Sequence, residues 1–542
     1  MTDAEDDAGD VADPQELTPS RADRRQSKRR RKRLLIAGAV AVVAIVGAGA
    51  AAFLLLRDDS GDAVATGTDQ ASNQPTTSSP ANTDEAPTST EAPPPPFEGW
   101  VDPASVGQPF PGASVDGLLT FRGNPTRTYY GKGPVPSAPQ VLWNYPDGGM
   151  CALSVDKGEE MQWCGTGWTG QPAVFERDDR TWVTFGAYDR NVHFVDGETG
   201  ADILPPFPTG DIIKGSVSID PEGYPLLYTG SRDSFFRILA FDGTEARELW
   251  KLPANYVGET KWNDDWDSSP LILGDYLFEG GENSRFYIVK LNRGYDDNGA
   301  VTVAPELVFH EAGWDDELLA AVGSEVSIEN SLTVIGDTLY FANSGGLVQG
   351  WDIGGLRTGS GPPTRVFRFW TGDDTDATVV ADEQGMLYVA SEWERHNERA
   401  KETGQMMKLD PAKPDDPLVW SHTDQGAEKA GVWGTPGVHE DLVIYTTFNG
   451  RALGLDRATG DVRWELTIPP PLMGSPVIVD GVWLQGDCNG TLHAYDVSDT
   501  HASPPELWSV PVGGCIESTP AVWNGRIYVG TRAGQFHALG DG

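Results

Sequence analysis

Apolar and polar residues alternate over short stretches through most of the chain, and turn residues interrupt them at close intervals. The stretch FNGRALGLDRATGDVRWEL, residues 448–466, holds an Asn-Gly turn pair, alternating apolar residues, a Thr-Gly pair and a Trp. Period-two alternation is typical of β-strands, and Asn-Gly is a strong signal for a tight hairpin. Residues 434–466 are therefore predicted to form four short antiparallel strands.

The same four-strand pattern recurs along the chain in eight copies. The second residue of the first-strand signature falls at positions 172, 217, 270, 331, 378, 436, 476 and 520. The copies are spaced by roughly 50 residues, and four short strands per period of this length are typical of a propeller blade. The sequence therefore predicts an all-β, eight-bladed β-propeller over residues 97–542.

The two ends of the repeat array predict how the ring closes. The eighth copy lacks a fourth strand, whereas PQVLWNYP, residues 139–146, precedes the first copy and resembles an isolated fourth strand. We expect Val141 to Tyr145 to pair as the outer strand of the last blade. Such closure leaves no open sheet edge.

The N-terminal region has a different composition. Residues 34–56 are an unbroken apolar run, longer than the usual core of a cleaved signal peptide and long enough to cross a bilayer as one helix. The basic run SKRRRKR precedes it, which predicts a cytoplasmic tail at 1–33 and an extracytoplasmic propeller. Residues 57–96 are rich in Ser, Thr and Pro and are predicted to be a disordered linker. The prediction is a single-pass protein of the cell membrane.

Composition and charge limit the classes of binding partner that this chain is expected to have. The chain of 542 residues contains 64 Gly, 40 Pro and 18 Trp, which suits a turn-rich β protein. The formal net charge of −40 lies almost wholly beyond the basic tail. An acidic body repels phosphate backbones, so nucleic acid is not an expected partner, whereas cations are attracted.

Two motifs carry a resemblance to a known family. GLDRATGDVRW, residues 454–464, resembles the A-x-D-x-x-T-G-x-x-x-W tryptophan-docking repeat of the PQQ (quinoprotein dehydrogenase-like) propellers, with Gly454 in place of Ala. LLTFRGNPTRT, residues 118–128, resembles the FRGN-type opening of PQQ-repeat proteins. The resemblance implies that each docking Trp packs on a neighbouring blade. The aligned Trp residues are Trp143, Trp250, Trp420, Trp464 and Trp508.

The family contains both PQQ- and calcium-dependent enzymes and scaffolds without a cofactor. The chain has neither the adjacent cysteine pair typical of PQQ alcohol dehydrogenases nor a C-x-x-C-H haem motif. The resemblance therefore favours a non-catalytic ligand-binding or protein-scaffold module. A PQQ- and calcium-dependent oxidoreductase is the alternative, and a glycan-active enzyme with a carboxylate pair is a third. No cofactor is predicted, although PQQ and calcium remain possible ligands under the alternative.

The candidate site residues are predicted to lie on one face of the propeller. The loops that enter the first strands and the turns between second and third strands lie on that same face. Carboxylates suit hard cations, and Trp faces suit sugars, planar rings or a protein surface. A polar rim without a ligand is the other interpretation. The predicted ligand-binding residues are Trp168, Lys214, Trp262, Asp264, Asp265, Trp266, Asp267, Glu329, Trp433 and Glu517. The weaker metal candidates are Asp373, Asp374 and Asp376.

The four cysteines are predicted to form two disulfides in an extracytoplasmic domain. Cys151 and Cys164 flank a short excursion before the first blade. Cys488 lies in a turn of the seventh copy, and Cys515 at the entry to the eighth, on the same face. We expect the pairs Cys151–Cys164 and Cys488–Cys515, with four free thiols as the alternative.

Overall fold

The computed structural model describes residues 97–156, 158–168, 170–426 and 429–542. Its described residues form eight sheets arranged as blades, each with four antiparallel strands. The predicted eight-bladed β-propeller is thus confirmed. From the first blade to the fourth, the strands are Ala173–Arg177, Arg180–Gly186, Asn191–Asp196 and Asp202–Pro208; Ser218–Ile219, Leu226–Thr229, Phe235–Ala240 and Arg247–Pro253; Leu271–Leu273, Tyr276–Gly280, Arg285–Lys290 and Glu306–Ala312; and Thr333–Ile335, Thr338–Phe341, Leu347–Asp352 and Thr364–Trp370.

The second half of the ring repeats this arrangement. From the fifth blade to the eighth, the strands are Val380–Ala381, Leu387–Ala390, Met406–Leu409 and Leu418–His422; Gly437–His439, Leu442–Thr446, Arg451–Asp456 and Val462–Thr467; Val477–Val479, Val482–Gly486, Thr491–Asp496 and Glu506–Pro511; and Ala521–Trp523, Arg526–Gly530, Phe536–Gly540 and Gln140–Tyr145. The fourth strand of the eighth blade is the N-terminal one, as predicted: Tyr145 pairs with Phe536 and Gln140 with Gly540.

Docking contacts explain why the repeat contains both Thr-Gly and Trp. The Trp420 indole of the fifth blade donates to the Arg457 oxygen of the sixth at 3.2 Å. The same ring packs on Gly460, where a Cβ would lie 2.7 Å from it, and Gly460 has a φ of +79°. Only glycine combines this backbone conformation with so close an approach. The Thr-Gly of one blade and the Trp of the preceding blade therefore form one inter-blade contact.

Ser and Thr at the start of the first strands join neighbouring blades around the axis. The N–H of Ser331 donates to Thr378 Oγ1, that of Thr378 to Thr435 Oγ1, and that of Thr435 to Ser475 Oγ, each at 3.0 Å. All four residues are buried. These bonds satisfy amides that would otherwise be buried without a partner. We call this set the hydroxyl ring.

Residues 118–132, here called the central plug, pass between the first strands and fill the channel. Leu118 pairs with Val174 of the first blade, and Gly131 pairs with Val522 of the eighth. Other hydrogen bonds reach the blades between them. These are Ile219 N to Leu119 O, Val334 N to Pro125 O, Ala381 N to Thr126 O, Phe121 N to Ser269 Oγ, and Tyr130 Oη to Val438 O. The plug closes the channel from within the ring.

Elements outside the blades are short. The hairpin of Cys151–Asp156 and Glu159–Cys164 precedes the first blade, and small two-stranded sheets pair Gly294–Tyr295 with Val301–Thr302 and Glu392–Trp393 with Ala430–Gly431. The helices among the described residues are Asp316–Val322, Gly354–Thr358 and Glu398–Thr403, with a 3-10 turn at Pro103–Ser105. Both predicted disulfides, Cys151–Cys164 and Cys488–Cys515, are present.

The predicted cytoplasmic tail, membrane helix and linker, residues 1–96, lie outside the described residues. Within the part of the chain that is described, no helix has the length and apolar character needed to span a bilayer.

Candidate functional site

Lys214 lies at the centre of a buried charged cluster on the face where the first strands begin, which we call the funnel face. Its ammonium group donates to Asp267 Oδ2 and lies 3.4 Å from Glu282 Oε1. Lys214 precedes the first strand of the second blade, Asp267 that of the third, and Glu282 sits in the third blade's second turn. Burial alone would lower the pKa of Lys214, but these carboxylates hold it well above its usual value.

A second ion pair borders this cluster. Arg232 Nε donates to Asp265 Oδ2 at 2.6 Å, and both side chains are buried. Asn263 Nδ2 donates to Asp265 at 2.7 Å and to Glu282 Oε2 at 2.9 Å, so it joins the two ion pairs. The pair and the amide hold the link between the second and third blades in place.

Three carboxylates approach one another closely enough to hold a cation. One oxygen from each of Asp267, Glu282 and Glu329 lies within 4.8 Å of the others. Carboxylate oxygens at such separations are suitable ligands for a hard divalent ion. Glu329 is oriented by Ser327, whose Oγ donates to it at 2.7 Å. Of these three, Glu282 was not among the predicted residues.

The carboxyl groups continue into the fifth blade. Ser344 Oγ lies 3.3 Å from Glu329 Oε1 and 2.9 Å from Asp376 Oδ1. Asp374 lies 3.6 Å from Arg395, and the buried Glu392 interacts electrostatically with both aspartates. We call the set Asp265, Asp267, Glu282, Glu329, Asp374, Asp376 and Glu392 the acidic cluster.

Burial makes these carboxyl groups hard to ionise. Desolvation first, and then repulsion between neighbouring carboxylates, raises the pKa of Glu282 and of Glu329 to about 8. Burial likewise raises the pKa of Asp265 and of Asp374 to about 7, and that of Asp376 well above its usual value. The cluster therefore holds protons near neutral pH that a cation would displace.

Asp373, one of the predicted weak metal candidates, binds backbone N–H groups of its own loop and of the neighbouring one. Its Oδ1 accepts the N–H groups of Asp374 and Arg395 at 2.9 Å, and its Oδ2 accepts that of His396 at 3.0 Å. The carboxylate is fully buried and shapes the loop. Of the three weaker metal candidates, Asp374 and Asp376 belong to the acidic cluster, whereas the Asp373 carboxylate accepts hydrogen bonds from backbone N–H groups.

The segment KWNDDWDSS is divided between surface and core. Trp262 is 46% exposed, whereas Trp266 is fully buried and packs on Phe236 and Tyr287. The prediction that Trp266 lines a contact surface is therefore corrected: the link enters the core after Asp264, and residues 265–269 are all buried. Asp264 is half-buried beside these residues.

Aromatic residues lie elsewhere on the funnel face. The rings of Trp168 and Trp433 meet edge to face, with centroids 5.1 Å apart, and Trp433 also packs on Phe448. Because the two rings are perpendicular, a planar ligand cannot stack between them. Glu517 is bound by Arg532 at 2.9 Å.

The hairpin that ends at Cys164 contributes a residue that the sequence did not predict. Trp163 lies 5.1 Å from the Arg532 guanidinium and 5.7 Å from that of Arg232. The Val155 oxygen of the same hairpin accepts from Arg232 at 3.2 Å. The hairpin thus lies against the edge of the funnel, held by cation–π and hydrogen-bond contacts.

A quinone cofactor that carries carboxylates is a poor match for these residues. Such a group requires cations with free charge, yet Lys214, Arg232 and Arg532 are each already paired with carboxylates. The surrounding acidic cluster would repel an anionic ligand. The described residues therefore fit a cation better than they fit the quinone.

The family model described as "Outer membrane protein assembly factor BamB" (PQQ_2) matches residues 402–503, which run from the fifth blade into the seventh. The match includes the docking repeat from which the resemblance was inferred, and the blades have the predicted form. The sequence similarity to this family covers residues 402–503, and the described residues form an eight-bladed β-propeller. No curated protein matches it.

Three solved structures are similar in fold. BamB from Moraxella catarrhalis is 16% identical, with a TM-score of 0.48, over 74% of this chain and 98% of that one. The computationally designed Ika8 protein is 13% identical, with a TM-score of 0.48, over 69% and 99%. Quinohemoprotein alcohol dehydrogenase from Comamonas testosteroni is 14% identical, with a TM-score of 0.49, over 78% and 80%.

Proposed function

We propose that this propeller is a non-catalytic binding module whose funnel face takes a cationic ligand, either a divalent metal ion or a protonated amine. The observation that carries the proposal is the convergence of Asp267, Glu282 and Glu329, with one oxygen of each within 4.8 Å of the others. Carboxyl groups outnumber cations throughout the acidic cluster. A ligand of opposite charge would relieve their mutual repulsion.

The raised pKa values support a cation that competes with protons. Burial and neighbouring carboxylates raise the pKa of Glu282 and of Glu329 to about 8. Near neutral pH the site therefore binds protons, and a cation must displace them. Lys214 already pairs with Asp267 and Glu282, so a bound cation would share these carboxylates with its ammonium group.

Calorimetric titration of the full-length chain at pH 8 tests the proposal, with calcium chloride, magnesium chloride and spermidine as separate probes. The variant Glu329→Gln, which keeps the shape of the side chain, is expected to weaken binding of the active probe by about tenfold or more. Glu402→Gln, at an exposed position on the helix Glu398–Thr403, is the control. The absence of binding by every probe, or equal affinity of Glu329→Gln and wild type, would disprove the proposal.

We further propose that the propeller lies outside the cell membrane, attached by residues 34–56 through the linker 57–96. The apolar run and the basic residues before it support this topology. The two disulfides agree with an oxidising compartment. Protease treatment of intact cells, followed by detection of the propeller, tests it; protection equal to that of a cytoplasmic marker would contradict it.

A PQQ- and calcium-dependent oxidoreductase is the second candidate, because the three converging carboxylates could hold calcium. The pairing of the nearby cations with carboxylates is the observation against it. Dye-linked oxidation of alcohols or sugars by the chain supplied with PQQ and calcium, abolished by a chelator, would favour this enzyme over the binding module.

A further inference from the structure

Arg122 in the central plug is a fully buried cation at the centre of the ring. Its Nη1 donates to the Thr435 oxygen at 2.7 Å, and its guanidinium carbon lies 4.4 Å from the centre of the Tyr130 ring. Its backbone N–H is bound by Gln171 Oε1 at 2.7 Å. The side chain is 0% exposed. These contacts fix the guanidinium between the sixth blade and the plug.

The other edge of this guanidinium lacks a hydrogen-bond partner in the described part of the chain. Nε and Nη2 are both buried, and neither has a hydrogen-bond acceptor among the described residues. These two nitrogens present parallel N–H groups, which is the edge that arginine uses to bind anions with two hydrogen bonds. Gly437 lies beside it, and a Cβ there would be 3.7 Å from Nη2.

Arg127 lies in the same plug and is equally buried, but its guanidinium has hydrogen-bond acceptors in the protein. Its Nε donates to the Leu332 oxygen at 2.9 Å and its Nη1 to the Phe121 oxygen at 2.9 Å. The carboxyl group of Glu279 interacts with it electrostatically. Burial lowers the pKa of Arg122; the Tyr130 side chain opposes this through its charge and a hydrogen bond, and no described carboxylate does so.

We propose that the Nε and Nη2 edge of Arg122 binds a small monovalent anion of the halide class, chloride being the natural candidate, as a structural ligand of the central plug. A buried charge is stable only when it is both hydrogen-bonded and compensated. A water molecule would accept hydrogen bonds from the two N–H groups but would leave the positive charge uncompensated. A halide ion both accepts the hydrogen bonds and compensates the charge. The site is independent of the acidic cluster and of the cation proposed there.

Bromide, which replaces chloride and can be located by anomalous scattering, tests the site directly. Crystals of the full-length chain grown in sodium bromide are expected to show a bromide within hydrogen-bond distance of both nitrogens. Density for water alone at this edge, with bromide found only on the surface, would overturn the proposal. This measurement needs no variant and stands even if substitutions at Arg122 do not fold.

Thermal unfolding in sodium chloride and in sodium gluconate, at equal ionic strength, provides the second test. Chloride is expected to raise the wild-type Tm by about 1–3 °C for each tenfold increase above its dissociation constant. Arg122→Met should remove this chloride dependence, whereas Arg127→Met should lower the Tm and keep it. Equal Tm values for the wild type in the two salts, or a chloride effect that persists in Arg122→Met, would refute the site.

Discussion

The indole Nε1 of Trp143 donates a hydrogen bond to the backbone oxygen of Gly197 at 3.2 Å. Trp143 lies on the strand that completes the eighth blade, and Gly197 follows the third strand of the first blade. The ring also packs on Gly200, where a Cβ would lie 2.7 Å away. The contact that joins neighbouring blades elsewhere therefore also joins the last blade to the first.

Loss of this closing contact is expected to destabilise the whole ring. Trp143→Ala removes a half-buried ring and its hydrogen bond, which should cost about 2–4 kcal/mol of unfolding free energy. Denaturant unfolding followed by tryptophan fluorescence measures it, with Trp262→Ala at an exposed position as the control. An equally small effect of both substitutions would contradict the closing role of Trp143.

The hydroxyl ring predicts that Thr435 matters as a hydrogen-bond acceptor and not for its shape. Thr435→Val keeps the volume but leaves the Thr378 N–H buried without its 3.0 Å partner, at a cost of about 1–3 kcal/mol. Thr435→Ser keeps the hydroxyl and should cost clearly less. Chemical denaturation of the two variants separates the effects. If the serine variant were the less stable, packing of the methyl group would be the dominant contribution.

Asp265 and Trp262 are expected to respond differently, although both were predicted to bind a ligand. Asp265→Ala leaves Arg232 without its 2.6 Å partner in a buried position, which should cost about 3–5 kcal/mol. Trp262→Ala should change stability by less than about 0.5 kcal/mol, because the ring is exposed. Calorimetric melting of each variant tests this difference. A stable Asp265→Ala protein would show that Arg232 finds another carboxylate.

Stability without divalent cations is expected to fall as the pH rises from about 5 to 8. The pKa of Glu329 is about 8 when folded, above its usual value of 4.5, so the folded chain binds more protons than the unfolded chain in this window. The free energy of unfolding must then decrease with pH. Glu329→Gln should melt close to the wild type at pH 5 and above it at pH 8, as measured by melting in the presence of a chelator. A larger wild-type stability at pH 8 than at pH 5, unmatched by the variant, would reverse the assigned sign.

The repeat made the ring predictable because each blade encodes the same local interactions. Strand alternation, the Thr-Gly turn and the docking Trp all occur within one period, so blade number and closure by Val141 to Tyr145 follow from the sequence. The central plug was not predictable in this way. Its fifteen-residue course depends on contacts with first strands that lie up to about four hundred positions away, such as that of Gly131 with Val522, and no local pattern encodes them.

The candidate site was predictable by position but not by side-chain direction. Links into first strands placed Lys214, Asp267 and Glu329 on one face, where the structure brings them together. Glu282 was missed although the same rule about second turns could have found it in the stretch EGGENS. Trp266 was misplaced because residues 265–269 of the link are all buried, and only the packed core determines where along the link burial begins.

The central plug also imposes an order of events on the growing chain. Residues 118–132 are synthesised before any blade, yet Gly131 finds its strand partner Val522 only when nearly the whole chain has emerged. The blades pair locally and can form one after another, whereas the axis cannot be completed until the eighth is present. Ribosomes that stall before the last blade would thus carry a nearly complete row of blades whose N-terminal arm still lacks its partner strands.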